Sequence, residues 1–172
     1  PGFVRDFEAT ARRVAALDHP AVVALQDFWR EPGAAYVVTR RLHGGTLADQ
    51  LEAGPLTDAQ VRTLADRIGG ALVAASAVGL AHGRVRAGNV LFDEQGDPCL
   101  TDFWLGGGPA PDPSVDGRDF AALLERCVAP GGPAAEALAP LATATDRVPL
   151  ALLVERARNV VTGSEPTASR AA

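Results

Sequence analysis

The sequence predicts an α+β domain that is mostly helical, with few and short strands grouped in hairpins. Three observations carry this. A helix-period stretch from Phe3 to Leu17 leads into two strand-like runs, Val22 to Trp29 and Ala34 to Arg40, joined by Glu31-Pro32-Gly33. An apolar stripe then recurs at three- and four-residue steps through Val61, Leu64, Ala65, Ile68, Leu72 and Ala75, as one buried face of a long helix requires. Two further short apolar runs flank Gly96, after which helical periodicity returns to the end of the chain.

With 172 residues and 47% hydrophobic content, one domain with a proper core is expected. The net charge of −5 gives no basic footprint, so nucleic acid is not an expected partner. All 16 basic residues are Arg, so no lysine in this chain can grip a phosphate or form a Schiff base. Cys99 and Cys127 lie far apart with no C-x-x-C pair, which favours a reduced, cytoplasmic setting. Pro1-Gly2-Phe3 carries neither a Met nor a signal-peptide pattern, so the chain is expected to be a segment of a longer protein. The most apolar run, Ile68 to Ala81, is too short and Gly-rich for the roughly 20 residues of a membrane span.

In chain order, the first helix has apolar positions Phe3, Phe7, Val14 and Leu17 and is stopped by Asp18-His19-Pro20. After the hairpin come Leu42-His43-Gly44-Gly45-Thr46-Leu47. Thr46 and Thr57 are expected helix caps, separated by the Gly54-Pro55 break. Gly79 is expected to stop the long helix, and Gly69, Gly70, Ala71, Ala74 and Ala75 leave room for close helix packing. A loop closed by Asn89, a hairpin of Val90-Leu91-Phe92 around Gly96, and Thr101-Asp102-Phe103-Trp104 follow. Leu105 to Pro113 reads as a Gly/Pro connector. A helix opened by Asp116-Gly117-Arg118-Asp119 carries Phe120, Leu123, Leu124, Cys127 and Val128. Two more helices are expected over Ala134 to Leu141 and Pro149 to Val161, with a small, polar linker from Thr162.

His82 to Trp104 is the informative stretch. It reads H-G-R-V-R-A-G-N, then a hairpin, then D-F-W. This resembles the catalytic and metal-binding loops of eukaryotic-like protein kinases, H-R-D-L-x-x-x-N and D-F-G. The preceding helix, H-P, hairpin and G-G-x-L suit the same family, in its bacterial Ser/Thr branch. The resemblance implies a small-lobe remnant over residues 1–42, a mostly helical large lobe over 43–163 with a truncated activation segment, and a tail over 164–172. H-G-x-x-x-x-G-N is also similar to the aminoglycoside-phosphotransferase branch.

What the resemblance implies for chemistry is specific. Kinases hold ATP and Mg²⁺ through the loop Asn and the D-F-G Asp, grip the phosphates with a Lys, and use an Asp as base. Asn89 and Asp102 fall on the two metal-ligand positions, and both offer the oxygen that Mg²⁺ prefers. Arg84 falls on the base position, where a permanently protonated guanidinium accepts no proton. Thr10 falls where the helix Glu would stand, with Glu8 on another face. The hinge backbone from Arg40 to Leu42 would meet an adenine edge, with Leu91 beneath the ring and Thr39 at the back wall. Val14, Leu25, His82 and Phe103 fall on the apolar column joining the lobes, His82 as a packed, hydrogen-bonded histidine. Trp104 replaces a Gly and is expected to lock its loop or to fill the nucleotide site. Asp116 matches the Asp opening the central large-lobe helix, and no A-P-E anchor follows Asp102.

The expectation is therefore a pseudokinase, a regulatory or protein-interaction module with at most residual ATP and Mg²⁺ binding. Its partner would be a protein or the flanking domains of the same chain. An active Ser/Thr kinase or small-molecule phosphotransferase is the alternative, and a structural spacer the third reading.

Overall fold

The computed structural model describes residues 2–106, 110–144 and 148–162. The expected connector residues Gly107 to Pro109 and the tail at 164–172 lie outside the described residues, as do the side chains of Phe3 and Val161. The first helix, α1 (Gly2–Ala15), buries Phe7, Ala11 and Val14 at helical spacing, with Arg12 and Arg13 in its last turn, where cations complement the helix dipole. The Arg13 guanidinium donates to the Val78 carbonyl, tying α1 to the end of the long helix.

Strands β1 (Leu25–Glu31) and β2 (Ala34–Thr39) form an antiparallel hairpin, with Trp29 opposite Tyr36 and Glu31 opposite Ala34. Gly33, at φ 83°, supplies the left-handed residue of the Pro32-Gly33 turn. Phe28 meets Phe7 edge-on at 6.2 Å, so α1 covers one face. On the other face Trp29 and Tyr36 stack at 5.1 Å, both more than 40% exposed. The first strand begins at Leu25, not Val22. Val22 and Val23 belong to another pairing, in which the Val23 amide donates to the Leu100 carbonyl and the Leu100 amide to that of Ala21.

Both predicted caps form. Helix α2 (Leu47–Glu52) opens on Thr46 and α3 (Asp58–Ala77) on Thr57, each in a reciprocal capping box with Asp49 and Gln60 respectively. At the end of α3, Gly79 (φ 67°) donates to Ser76 and Leu80 donates to Ala75, the paired bonds that let a left-handed residue close a helix. The stripe from Val61 to Ala75 is the centre of the core. A Cβ on Gly69 would stand 2.6 Å from a Val154 methyl, so the last helix approaches α3 over that glycine.

After α3, a 3₁₀ turn (Ala87–Asn89) leads into β3 (Val90–Phe92), antiparallel to β4 (Pro98–Leu100). Asp93 organises the intervening turn by accepting from the amides of Gln95 and Asp97. Arg67 of α3 holds this hairpin to the segment between α1 and β1. Its guanidinium donates to the carbonyls of Pro98 and Pro20 and pairs with Asp97 at 3.1 Å.

Helix α4 (Pro113–Cys127) starts a turn earlier than the sequence suggested. Asp112 caps it through the Ser114 amide and Pro113 supplies a preset first turn, so Asp116 lies inside the first turn instead of before it. Helices α5 (Pro133–Ala144) and α6 (Leu150–Thr162) follow, α5 continuing past Pro140. Among the described residues no helix is long and apolar enough to cross a membrane.

Candidate functional site

The loop from His82 to Asn89 and the segment Thr101 to Trp104 meet because β3 and β4 bring their ends together. The Thr101 amide donates to the Asn89 carbonyl at 3.0 Å. His82 then brackets Asp102-Phe103 from both sides. Its Nε2 donates to the Thr101 carbonyl at 2.8 Å, and its own carbonyl accepts the Trp104 amide at 2.9 Å. Its Nδ1 accepts the Arg84 amide at 3.0 Å, which fixes the tautomer. The ring is fully buried and lies 4.6 Å from that of Phe103. Burial drives its pKa down to about 4, against smaller upward pulls from the Thr101 bond and Asp102. His82 is thus a neutral, doubly bonded packing residue.

Asp116 holds the other side of the loop. Its two carboxylate oxygens accept the amides of His82 and Gly83, each at 2.7 Å. The group is 3% exposed, and burial pushes its carboxyl up despite the two amide bonds. Gly83 has φ 73°, and a Cβ there would come within 2.6 Å of Pro111. Only glycine lets the start of α4 close over this loop.

Asp102 is, among the described residues, the non-glycine residue with positive φ, 65°. Such a conformation costs about 1–2 kcal/mol and is held here by the bonds on either side of it. Its Oδ2 faces two donors, Arg84 Nη1 and Asn89 Nδ2, both at 3.4 Å. Asn89 is buried, and its Nδ2 also donates to the Arg84 carbonyl at 2.8 Å, so the amide nitrogen is the end committed to the loop. Arg84 and Asp102 are about half exposed, 52% and 45% by side chain.

The donor set is a poor fit for Mg²⁺ as arranged. One Asp102 oxygen and the Asn89 carboxamide oxygen remain available, but the guanidinium already sits against the carboxylate. A divalent ion about 4 Å from that guanidinium would be repelled by about 2 kcal/mol even with the screening of bulk water. No reaction step is assigned to a metal here.

Of the residues expected to bind the nucleotide, Thr39 and Asp102 line one cavity of about 250 Å³, together with Val14, Leu25, Val37 and Phe103. This volume lies below the roughly 300–1,000 Å³ of small-molecule sites. Arg40, Leu42 and Leu91 do not line it. The Arg40 amide is bonded to the Ala24 carbonyl, and Leu91 bridges to Thr46. Three members of the expected apolar column, Val14, Leu25 and Phe103, line that cavity, with the His82 ring tilted against Phe103.

Thr10 is half-buried and lines a different cavity with Asp6, Arg13, Leu80, Pro111 and Trp104. Trp104 therefore packs toward α1 and does not fill the space beside Asp102. Glu8 is engaged by Arg30 at 3.1 Å and Arg12 at 3.6 Å. Sequence reasoning missed Asp119, one turn beyond Asp116. It lines a cleft with Arg84, Val85 and Arg86, and burial raises its carboxyl. The i, i+3 spacing to Asp116 on one helix was the available signal.

Residues 8–113 match the protein kinase domain. Similar proteins include the serine/threonine-protein kinases PknL and PknA of Mycobacterium tuberculosis strain H37Rv and PrkC of Bacillus subtilis strain 168. PknL is 36% identical over 104 residues, covering 60% of this chain and 26% of PknL. PknA is 33% identical over 111 residues, 61% of this chain and 26% of PknA. PrkC is 30% identical over 104 residues, 60% of this chain and 16% of PrkC. The chain thus spans about a quarter or less of the length of these relatives. Matched from its first helix to the start of α4, with paired catalytic-type loops on a helical lobe, the chain belongs to the protein kinase family.

Proposed function

We propose that this chain is a pseudokinase, a kinase-fold module that regulates or binds a protein partner without transferring phosphate. One observation carries the reading: Arg84, which by motif spacing falls where the family has its proton acceptor, has its guanidinium 3.4 Å from Asp102. Glu8, two residues from the position of the family's helix Glu, adds support because Arg30 and Arg12 already engage it. The exposed Trp29-Tyr36 stack is of the residue types enriched at interface cores, which suits a binding role. The small cavity at Thr39 and Asp102 is consistent with residual nucleotide affinity at most.

Asp119 favours a second reading, a phosphotransferase with a relocated base, because it shares a cleft with Arg84 and is half-buried. One assay separates the two. Transfer of labelled γ-phosphate from ATP, to the chain itself or to a generic protein, is measured beside Asp102→Ala and Asp119→Asn controls. No label above these controls is the expected result. Label lost in either variant overturns the pseudokinase reading, and loss in Asp119→Asn establishes the relocated base.

A further inference from the structure

We infer that Arg84 is the resident cation of this site: its guanidinium takes the charge-balancing place at Asp102 that a divalent ion would hold, so the site keeps divalent ions out. The inference rests on reading His82 to Trp104 as remnant catalytic and metal-binding loops. Its evidence is the convergence on a single oxygen. Asp102 Oδ2 has Arg84 Nη1 and Asn89 Nδ2 both at 3.4 Å. The Asn89 amide is anchored to the Arg84 carbonyl at 2.8 Å, so the residue that supplies the cation also fixes the orientation of the second oxygen donor.

The backbone makes this placement systematic. The Arg84 amide is bonded to buried His82, and Asp102 is held at φ 65° by the bonds His82 makes to Thr101 and Trp104. Cation and carboxylate are thus set by one bracket. The pair is about half exposed and weakly held on its own. Exclusion therefore comes mainly from repulsion between guanidinium and metal, and its removal should change divalent affinity by about thirtyfold.

The test uses Mn²⁺ alone as the probe, with bound ion counted from the loss of the free-ion paramagnetic resonance signal. Wild type, Arg84→Gln, Arg84→Ala, Asp102→Asn and the Arg84→Ala/Asp102→Asn double variant are compared. Circular dichroism melts confirm that each is folded, and Arg84→Gln stands in should Arg84→Ala not fold. The expected result is Mn²⁺ binding about thirtyfold tighter in the Arg84 variants, abolished in the double variant. Equal affinity in wild type and both Arg84 variants overturns the inference, as does a wild-type site that Asp102→Asn removes. Phosphate transfer is read separately. A wild-type Mn²⁺ site without transfer sinks this inference and leaves the pseudokinase reading standing. Transfer with an Arg84-gated Mn²⁺ site does the reverse.

Discussion

Acidifying the solution is expected to weaken this fold through His82 specifically. The imidazole is fully buried, both ring nitrogens are bonded in the neutral form, and its pKa is depressed from 6.5 to about 4. The unfolded chain takes up a proton near pH 6.5, while the native chain resists until about 4. Its share of stability is thus intact above the unfolded value and is lost progressively as pH falls between the two. Integrated from pH 7 to pH 5, one such group removes about 2 kcal/mol. His19 is also depressed, by burial and by Arg67, and acts in the same direction. Asp116, raised by burial, opposes the trend only toward more acid conditions. The assay is urea unfolding at pH 7, 6 and 5 for wild type and His82→Gln. The variant should be less stable at neutral pH, and its stability should fall with acid by about 2 kcal/mol less than that of wild type. Parallel pH dependences in the two proteins would refute the reasoning, as would a His82 ring resonance titrating near its ordinary value.

Asp116→Ala leaves the buried amides of His82 and Gly83 without acceptors and should cost about 2–4 kcal/mol in urea unfolding, with Asp116→Asn costing less. Thr57→Ala removes one half of the capping box on α3 and should cost about 1 kcal/mol. Both cysteines are buried and free, and burial raises both thiols, that of Cys127 to about 12. A thiol reagent should therefore label neither in the native protein and both after denaturation.

What could be read in advance was local. Thr46 and Thr57 announced their helices because a capping box is written within four residues, and Gly79 because its conformation closes the turn it follows. The start of α4 was misplaced because Asp116 and Asp119 have the composition of a helix opening. Asp112-Pro113 supplied the actual cap and first turn. Val22 and Val23 have strand character and do pair, but with Leu100, a partner fixed only by the fold. In the site, the positions of Asn89, Asp102 and Arg84 followed from motif spacing. Their convergence on one carboxylate oxygen did not, since rotamer and exposure decide it. Trp104 lines a cavity with α1 and Pro111, and the close approach of Pro111 to Gly83 beside it is encoded by no local pattern.

The three residues of β4 have a mechanical consequence. Leu100 pairs with Val90 on one side and, through its own amide and carbonyl, is stitched to Ala21 and Val23 on the other. The joint between the hairpin-bearing segment and the helical body is thereby made of main chain, sealed inside and riveted by Arg67. Side-chain drift over evolutionary time erodes such a joint slowly. The scaffold can therefore tolerate replacement of the side chains around it, because the joint itself asks little of them.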